Sequence, residues 1–144
     1  MRIQIIGLPG TGKTTGIRNY FKTQKEARDR PLYIDIRNFV GVRREAKFAQ
    51  AIKSYAEVIA ESACGVPASS YVIKLQTPIR TVYQRLLERD KHLDEDLLSL
   101  YSMQMIRADY TLSTEEDLPS VLSFLFKDGK VPCPSSVSGS YHHS

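Results

Sequence analysis

The run Gly7-Leu8-Pro9-Gly10-Thr11-Gly12-Lys13-Thr14 constrains this chain more than any other feature. It matches the spacing Gly-x-x-x-x-Gly-Lys-Ser/Thr at every specified position, a pattern that closes backbone amides around a phosphate. Its flanks suit that task. Ile3-Gln4-Ile5-Ile6 supplies a strand before the loop, and Thr14 onward, through Ile17, Tyr20 and Phe21, supplies a helix after it. Glycines at 7, 10 and 12 let the backbone take positive φ, so consecutive N–H groups can turn inward with no side chain in the way. A helix opening at Lys13 adds the partial positive charge of its unpaired amides. Lys13 would reach the β- and γ-phosphate oxygens, and Thr14 would place its hydroxyl on magnesium. The loop therefore predicts magnesium-dependent binding of ATP or GTP, with Gly7, Pro9, Gly10, Thr11, Gly12, Lys13, Thr14 and Thr15 around the phosphates.

Downstream, short β-branched runs alternate with longer stretches of helical period, the pattern of a parallel sheet covered by helices. The expected class is α/β, three layers with a sheet of four or five strands. Strands are expected at Arg2 to Ile6, Leu32 to Ile36, Tyr71 to Leu75 and Asp109 to Leu112, the strand of Asp35 lying beside that of Ile3 to Ile6. Phe48, Ile52, Tyr55, Ile59 and Ala63 recur every three or four residues, so Glu45 to Ala63 reads as one amphipathic helix. Thr77 and Pro78 open another helix, a third is expected from about Asp94 to Arg107, and a last one from Glu115 or Glu116 to Phe126.

With 144 residues, 42% hydrophobic and 25% charged, the chain fits one globular domain, placed at residues 1–126. In 127–144, half of the residues are Gly, Pro or Ser, which reads as a mobile tail holding His142 and His143. Two cysteines are too few for a disulfide scaffold or a zinc site. No apolar run approaches the roughly 20 residues of a membrane span, and the N-terminus lacks the form of a secretory signal, so a cytoplasmic protein is expected. Residues 1–91 hold 17 Lys and Arg against 8 Asp and Glu, a surplus that suits anionic ligands.

Asp35 ends the run Leu32-Tyr33-Ile34-Asp35, and ligands of open α/β sheets gather at the carboxyl ends of strands. A carboxylate there could hold a magnesium-bound water or take a proton from an acceptor hydroxyl. It would serve equally as a turn former. Arg85 and Arg89, four apart, project from one helical face and could stabilise a transferring phosphoryl group, or merely pair with Glu88 and Asp90.

The order of these motifs resembles the small P-loop kinases of the polynucleotide 5′-kinase and zeta-toxin-like group. Beyond the loop, the resemblance rests on Tyr33 to Phe39, Gly65-Val66-Pro67 leading into Tyr71 to Pro78, and the arginine-bearing stretch Tyr83 to Arg89. It implies that Gly12, Lys13, Thr14 and Thr15 bind nucleotide phosphates, that Asp35 fills the strand-end acidic position, and that Arg85 and Arg89 act as lid arginines. It also implies a kinase whose favoured acceptor is a nucleic-acid 5′-hydroxyl, with a nucleoside or nucleotide next. The family's acceptor-binding aspartate segment has no counterpart between Lys22 and Pro31. Either Asp35 does the work of a base, or the chain is a noncatalytic nucleotide-binding module or an NTPase.

Overall fold

The computed structural model describes residues 1–8, 10–24, 30–90, 106–128 and 141–143. The elements run β1 (Arg2–Gly7), α1 (Lys13–Lys22), β2 (Leu32–Asp35), a 3-10 turn (Ile36–Asn38), α2 (Arg44–Lys53), β3 (Val58–Ser62), β4 (Tyr71–Leu75), α3 (Ile79–Asp90), β5 (Tyr110–Leu112), a second 3-10 turn (Glu115–Asp117), α4 (Leu118–Asp128) and β6 (Tyr141–His143). The sheet order is β2-β3-β1-β4-β5-β6. The first five strands pair in parallel and β6 runs antiparallel to β5. The expected α/β class and parallel sheet are thus observed, with helices on both faces.

Strand periodicity divides the core in two. Ile3, Ile5, Ile59 and Ile73 pack on one face against Ile17 and Tyr20 of α1 and Leu118, Val121, Leu122 and Leu125 of α4. Val58 and Ala60 face the other way, onto Phe48 and Ile52 of α2 and Val66. On the first face the helices approach closely: a Cβ on Gly16 would lie 2.7 Å from Leu118 Cδ2 and 3.2 Å from the Glu115 carbonyl oxygen.

Three expectations are corrected. Glu45 to Ala63 is not one helix but α2 followed by β3. Phe48 and Ile52 sit in one core cluster, Ile59 in the opposite one, and Tyr55 is exposed. The helix stops because Ser54 bonds back onto it, Oγ to the Gln50 carbonyl at 2.7 Å and N–H to that of Ala51 at 3.2 Å. The N-terminus then takes the freed carbonyls: Arg2 donates to those of Lys53 and Tyr55, and the Met1 ammonium to that of Ala56. Second, β3 lies between β1 and β2, so the strand of Asp35 is not beside β1. Third, Tyr141–His143, read as tail, extends the sheet along β5. The helix expected from Asp94 to Arg107 falls almost wholly outside the described residues. No helix among the described residues is long and apolar enough to cross a membrane.

Candidate nucleotide and acceptor site

The loop between β1 and α1 has the geometry its sequence demands. Gly10 and Gly12 take φ of 87° and 89°, a region where a side chain would be strained. Gly12 precedes α1 with no side-chain cap at the helix N-terminus, the end that carries partial positive charge. Lys13 is buried, its Nζ donating to the carbonyls of Gly7 at 2.8 Å and Leu8 at 3.1 Å. Thr11 closes the turn from Oγ1 to the Leu8 carbonyl, and Gly7 N–H holds the loop to the Ala63 carbonyl after β3. Pro9 lies outside the described residues.

The carboxyl ends of β2 and β3 meet this loop from one side. Asp35 is in register with Glu61 on the neighbouring strand, and Tyr33 with Ile59. A period of two therefore turns Tyr33, Asp35 and Glu61 to the α1 face, the face of Ile59. Just past that core residue, Glu61 Oε2 accepts from Thr14 Oγ1 at 2.7 Å. The Tyr33 hydroxyl lies 2.7 Å from Glu61 Oε1 and 3.1 Å from Asp35 Oδ2. Arg37 clasps Asp35, Nε standing 3.1 Å from Oδ1 and 3.0 Å from Oδ2, with its Nη2 also on Oδ2 and 3.5 Å from Glu61 Oε2. Asp35 additionally accepts from the Arg37 backbone N–H at 2.9 Å and so starts the 3-10 turn. It forms the turn and also lines the cavity beside the loop.

Burial by itself would raise the Asp35 pKa, but the hydrogen bonds and charge of Arg37, with help from Tyr33, outweigh it and hold the carboxyl below its ordinary range. Burial, then the Glu61 carboxylate, pushes the Tyr33 phenol well above its ordinary value, so it remains a donor at any physiological pH. Arg37 is held charged chiefly by its hydrogen bonds to Asp35.

From the other side, Arg85 of α3 reaches the loop, Nη1 donating to the Gly10 carbonyl at 3.2 Å while Nη2 pairs with Glu115 Oε1 at 3.2 Å. The side chain of its sequence neighbour Asp90 lies outside the description. Arg89 lies on α3, but its side chain is outside the description. Gly10, Gly12, Lys13, Thr14, Thr15, Asp35, Arg37, Arg44, Glu61 and Arg85 line one cavity of about 650 Å³, also bordered by Ile36, Glu88 and Glu115. That volume suits a small-molecule site.

Glu61, absent from the sequence reading, is the carboxylate in contact with Thr14. A hydroxyl and a carboxylate are hard oxygen donors of the kind magnesium takes, completed by phosphate oxygens and water. Among the described residues no group of three or more His, Cys, Asp or Glu could hold a metal unaided.

Solved structures similar to this chain include several small kinases. The chain superposes on a sugar kinase from Janibacter sp. with a TM-score of 0.64 at 15% identity, covering 94% of this chain and 97% of that one. The chain has the small P-loop kinase fold. A gluconokinase from Sinorhizobium meliloti gives 0.58 at 11% identity over 88% and 89% of the two chains. A shikimate kinase from Acinetobacter baumannii in complex with shikimate gives 0.57 at 20% identity over 90% and 94%. No protein-family model matches the sequence, and no curated protein matches it either.

Proposed function

We propose that this chain is a magnesium-dependent phosphotransferase that moves the γ-phosphoryl group of ATP or GTP to a hydroxyl of a small polar acceptor. The observation that carries this reading is the charge of the cavity. Among the described residues that line it, Lys13, Arg37, Arg44 and Arg85 face Asp35, Glu61, Glu88 and Glu115, four cations against four anions. A polynucleotide end needs a groove of one sign to follow its phosphates. A balanced lining favours instead a compact acceptor held by paired donors and acceptors. The basic surplus of the first 91 residues therefore does not extend to the site. The names of the structural neighbours, which carry gluconate, sugar and shikimate, support the same acceptor class.

The residues divide the work. Amides of Gly10 to Thr14 and the Lys13 ammonium bind the phosphates, and Lys13 exchanges its loop carbonyls for phosphate oxygens. Thr14 Oγ1 and Glu61 Oε2 are the protein atoms that would hold magnesium, which supplies neutralisation of phosphate charge. Asp35 orients the acceptor hydroxyl. The acceptor oxygen bonds to the γ-phosphorus as the bond to the β–γ bridging oxygen breaks and the nucleoside diphosphate leaves with that electron pair. The hydroxyl proton passes to an Asp35 carboxylate oxygen. Arg85, already at the Gly10 carbonyl, stands where it can meet developing charge on the transferred group. Arg37 and Arg44 border the acceptor side, and Arg89 follows Arg85 one turn later on α3.

The test incubates the protein with γ-labelled ATP and a panel of sugar acids, cyclic hydroxy acids, nucleosides and an oligonucleotide with a free 5′-hydroxyl. Label in one of the small acceptors is expected. Label confined to the oligonucleotide would reverse the acceptor assignment, and label only in free phosphate would make the chain an NTPase.

A further inference from the structure

Tyr33 belongs to neither the phosphate loop nor the reacting groups, yet its hydroxyl stands within hydrogen-bond distance of both site carboxylates, 2.7 Å from Glu61 and 3.1 Å from Asp35. These carboxylates are neighbours in register on adjacent strands, where like charges repel. Arg37 offsets that repulsion from the open side of the cavity, its side chain 65% exposed. Tyr33 does so from within the sheet face, its ring fixed edge-on against Phe21 with centroids 6.2 Å apart. With the ring held, the freedom left to the group is rotation of its single hydroxyl hydrogen. We propose that Tyr33 is a positioning residue that couples the cation site at Thr14 and Glu61 to the acceptor site at Asp35.

The argument follows from the two oxygens of Glu61. Oε1 takes the Tyr33 hydroxyl and Oε2 takes Thr14, so the phenol determines which oxygen is turned toward the phosphate loop. A cation on Oε2 withdraws electron density from the carboxylate and makes Oε1 the poorer acceptor. The phenol hydrogen then turns to Asp35 Oδ2, which strengthens the hold on Asp35 in its ionised form when the nucleotide is loaded. The inference rests on the assignment of Glu61 and Asp35 proposed above. The other charged groups that line the same cavity, among the described residues, are Arg37 of the 3-10 turn, Lys13 of α1, Arg44 of α2, Arg85 and Glu88 of α3 and Glu115. None of them bridges the two carboxylates through a neutral, single-proton donor.

The experiment compares ADP affinity in EDTA and in saturating magnesium by calorimetry, for wild type, Tyr33→Phe, Glu61→Gln and the double variant. Magnesium is expected to tighten ADP binding to wild type. Tyr33→Phe, which keeps the ring on Phe21, is expected to reduce that gain at least threefold while affinity in EDTA stays within twofold. Glu61→Gln should remove the gain, and adding Tyr33→Phe to it should change nothing further. With the phenol gone, Asp35 loses a donor to its charged form, so the acid limb of kcat in Tyr33→Phe moves to higher pH. A full magnesium gain in Tyr33→Phe, or equal losses that add in the double variant, would overturn the coupling while leaving the cation site standing. No magnesium gain in wild type would overturn the cation site and the coupling together.

Discussion

Lys13 and Asp35 each hold a charge whose partners are already in place. The Lys13 ammonium rests on two loop carbonyls, that of Gly7 buried and that of Leu8 half-buried, so its removal leaves a buried carbonyl without this donor. Lys13→Ala is expected to weaken ADP roughly 10–100-fold, since a hydrogen bond to a charged group contributes about 1.5–3 kcal/mol, and to lower the melting temperature of the empty protein because the buried Gly7 carbonyl loses this donor. Calorimetry and thermal unfolding check both halves. For Asp35 the sign is that of a depressed carboxyl: its stabilisation is complete above the ordinary carboxylate range, about 3.9, and is lost as pH falls through the lower folded value. Arg37 is largely exposed, so solvent screening keeps the contribution below about 1 kcal/mol. Asp35→Asn keeps an acceptor for the Arg37 N–H, and its urea midpoint should fall less steeply than wild type between pH 5 and 2 on the order of that contribution. At this scale the phosphate loop and Asp35 were legible because local spacing alone dictates where they point. Glu61 was not, since its place beside Asp35 depends on a pairing with β2 that lies 26 residues back in the chain.

The misread stretch from Glu45 to Ala63 explains that omission. A parallel strand covered on both faces is apolar throughout, so Val58-Ile59-Ala60 carries no alternation and blends into the helical stripe before it. The β-branched pair Val58-Ile59 after Ser54 was the available signal. The carbonyls freed where Ser54 stops the helix, however, are taken by Met1 and Arg2 from the far end of the sequence. Arg85 shows the same division: its place on a helix facing the loop could be read, but its partner Glu115 could not. The contact of α1 with the turn before α4 brings a prediction of its own. A methyl on Gly16 meets both a side chain and a backbone oxygen of that turn, and the backbone cannot move alone. Gly16→Ala is expected to destabilise the protein by about 1–3 kcal/mol despite the better helix propensity of alanine, read from denaturant unfolding. Gln4 bonds Val66 and Ser70 from the buried centre of β1 and pins the segment after β3 in the same way.

For the whole molecule, the order β2-β3-β1-β4-β5 collects the carboxyl ends of β2 and β3 and the loop after β1 on one rim of the sheet. Any ligand bound there is linked to folding. ADP with magnesium at 100 times its dissociation constant should stabilise the chain by about 2.7 kcal/mol. A rise in melting temperature that Lys13→Ala abolishes would place the linkage at this rim. The cancelling charges of the cavity also bear on how a ligand arrives. Where the described lining charges cancel, the rim is expected to add little long-range attraction for a triphosphate, and productive encounter is then governed by orientation on contact. Association should proceed at the roughly 10⁵–10⁶ per molar per second of neutral partners. Raising ionic strength from 20 to 200 mM in stopped-flow mixing should alter that rate by less than about threefold, because there is little long-range attraction for salt to screen.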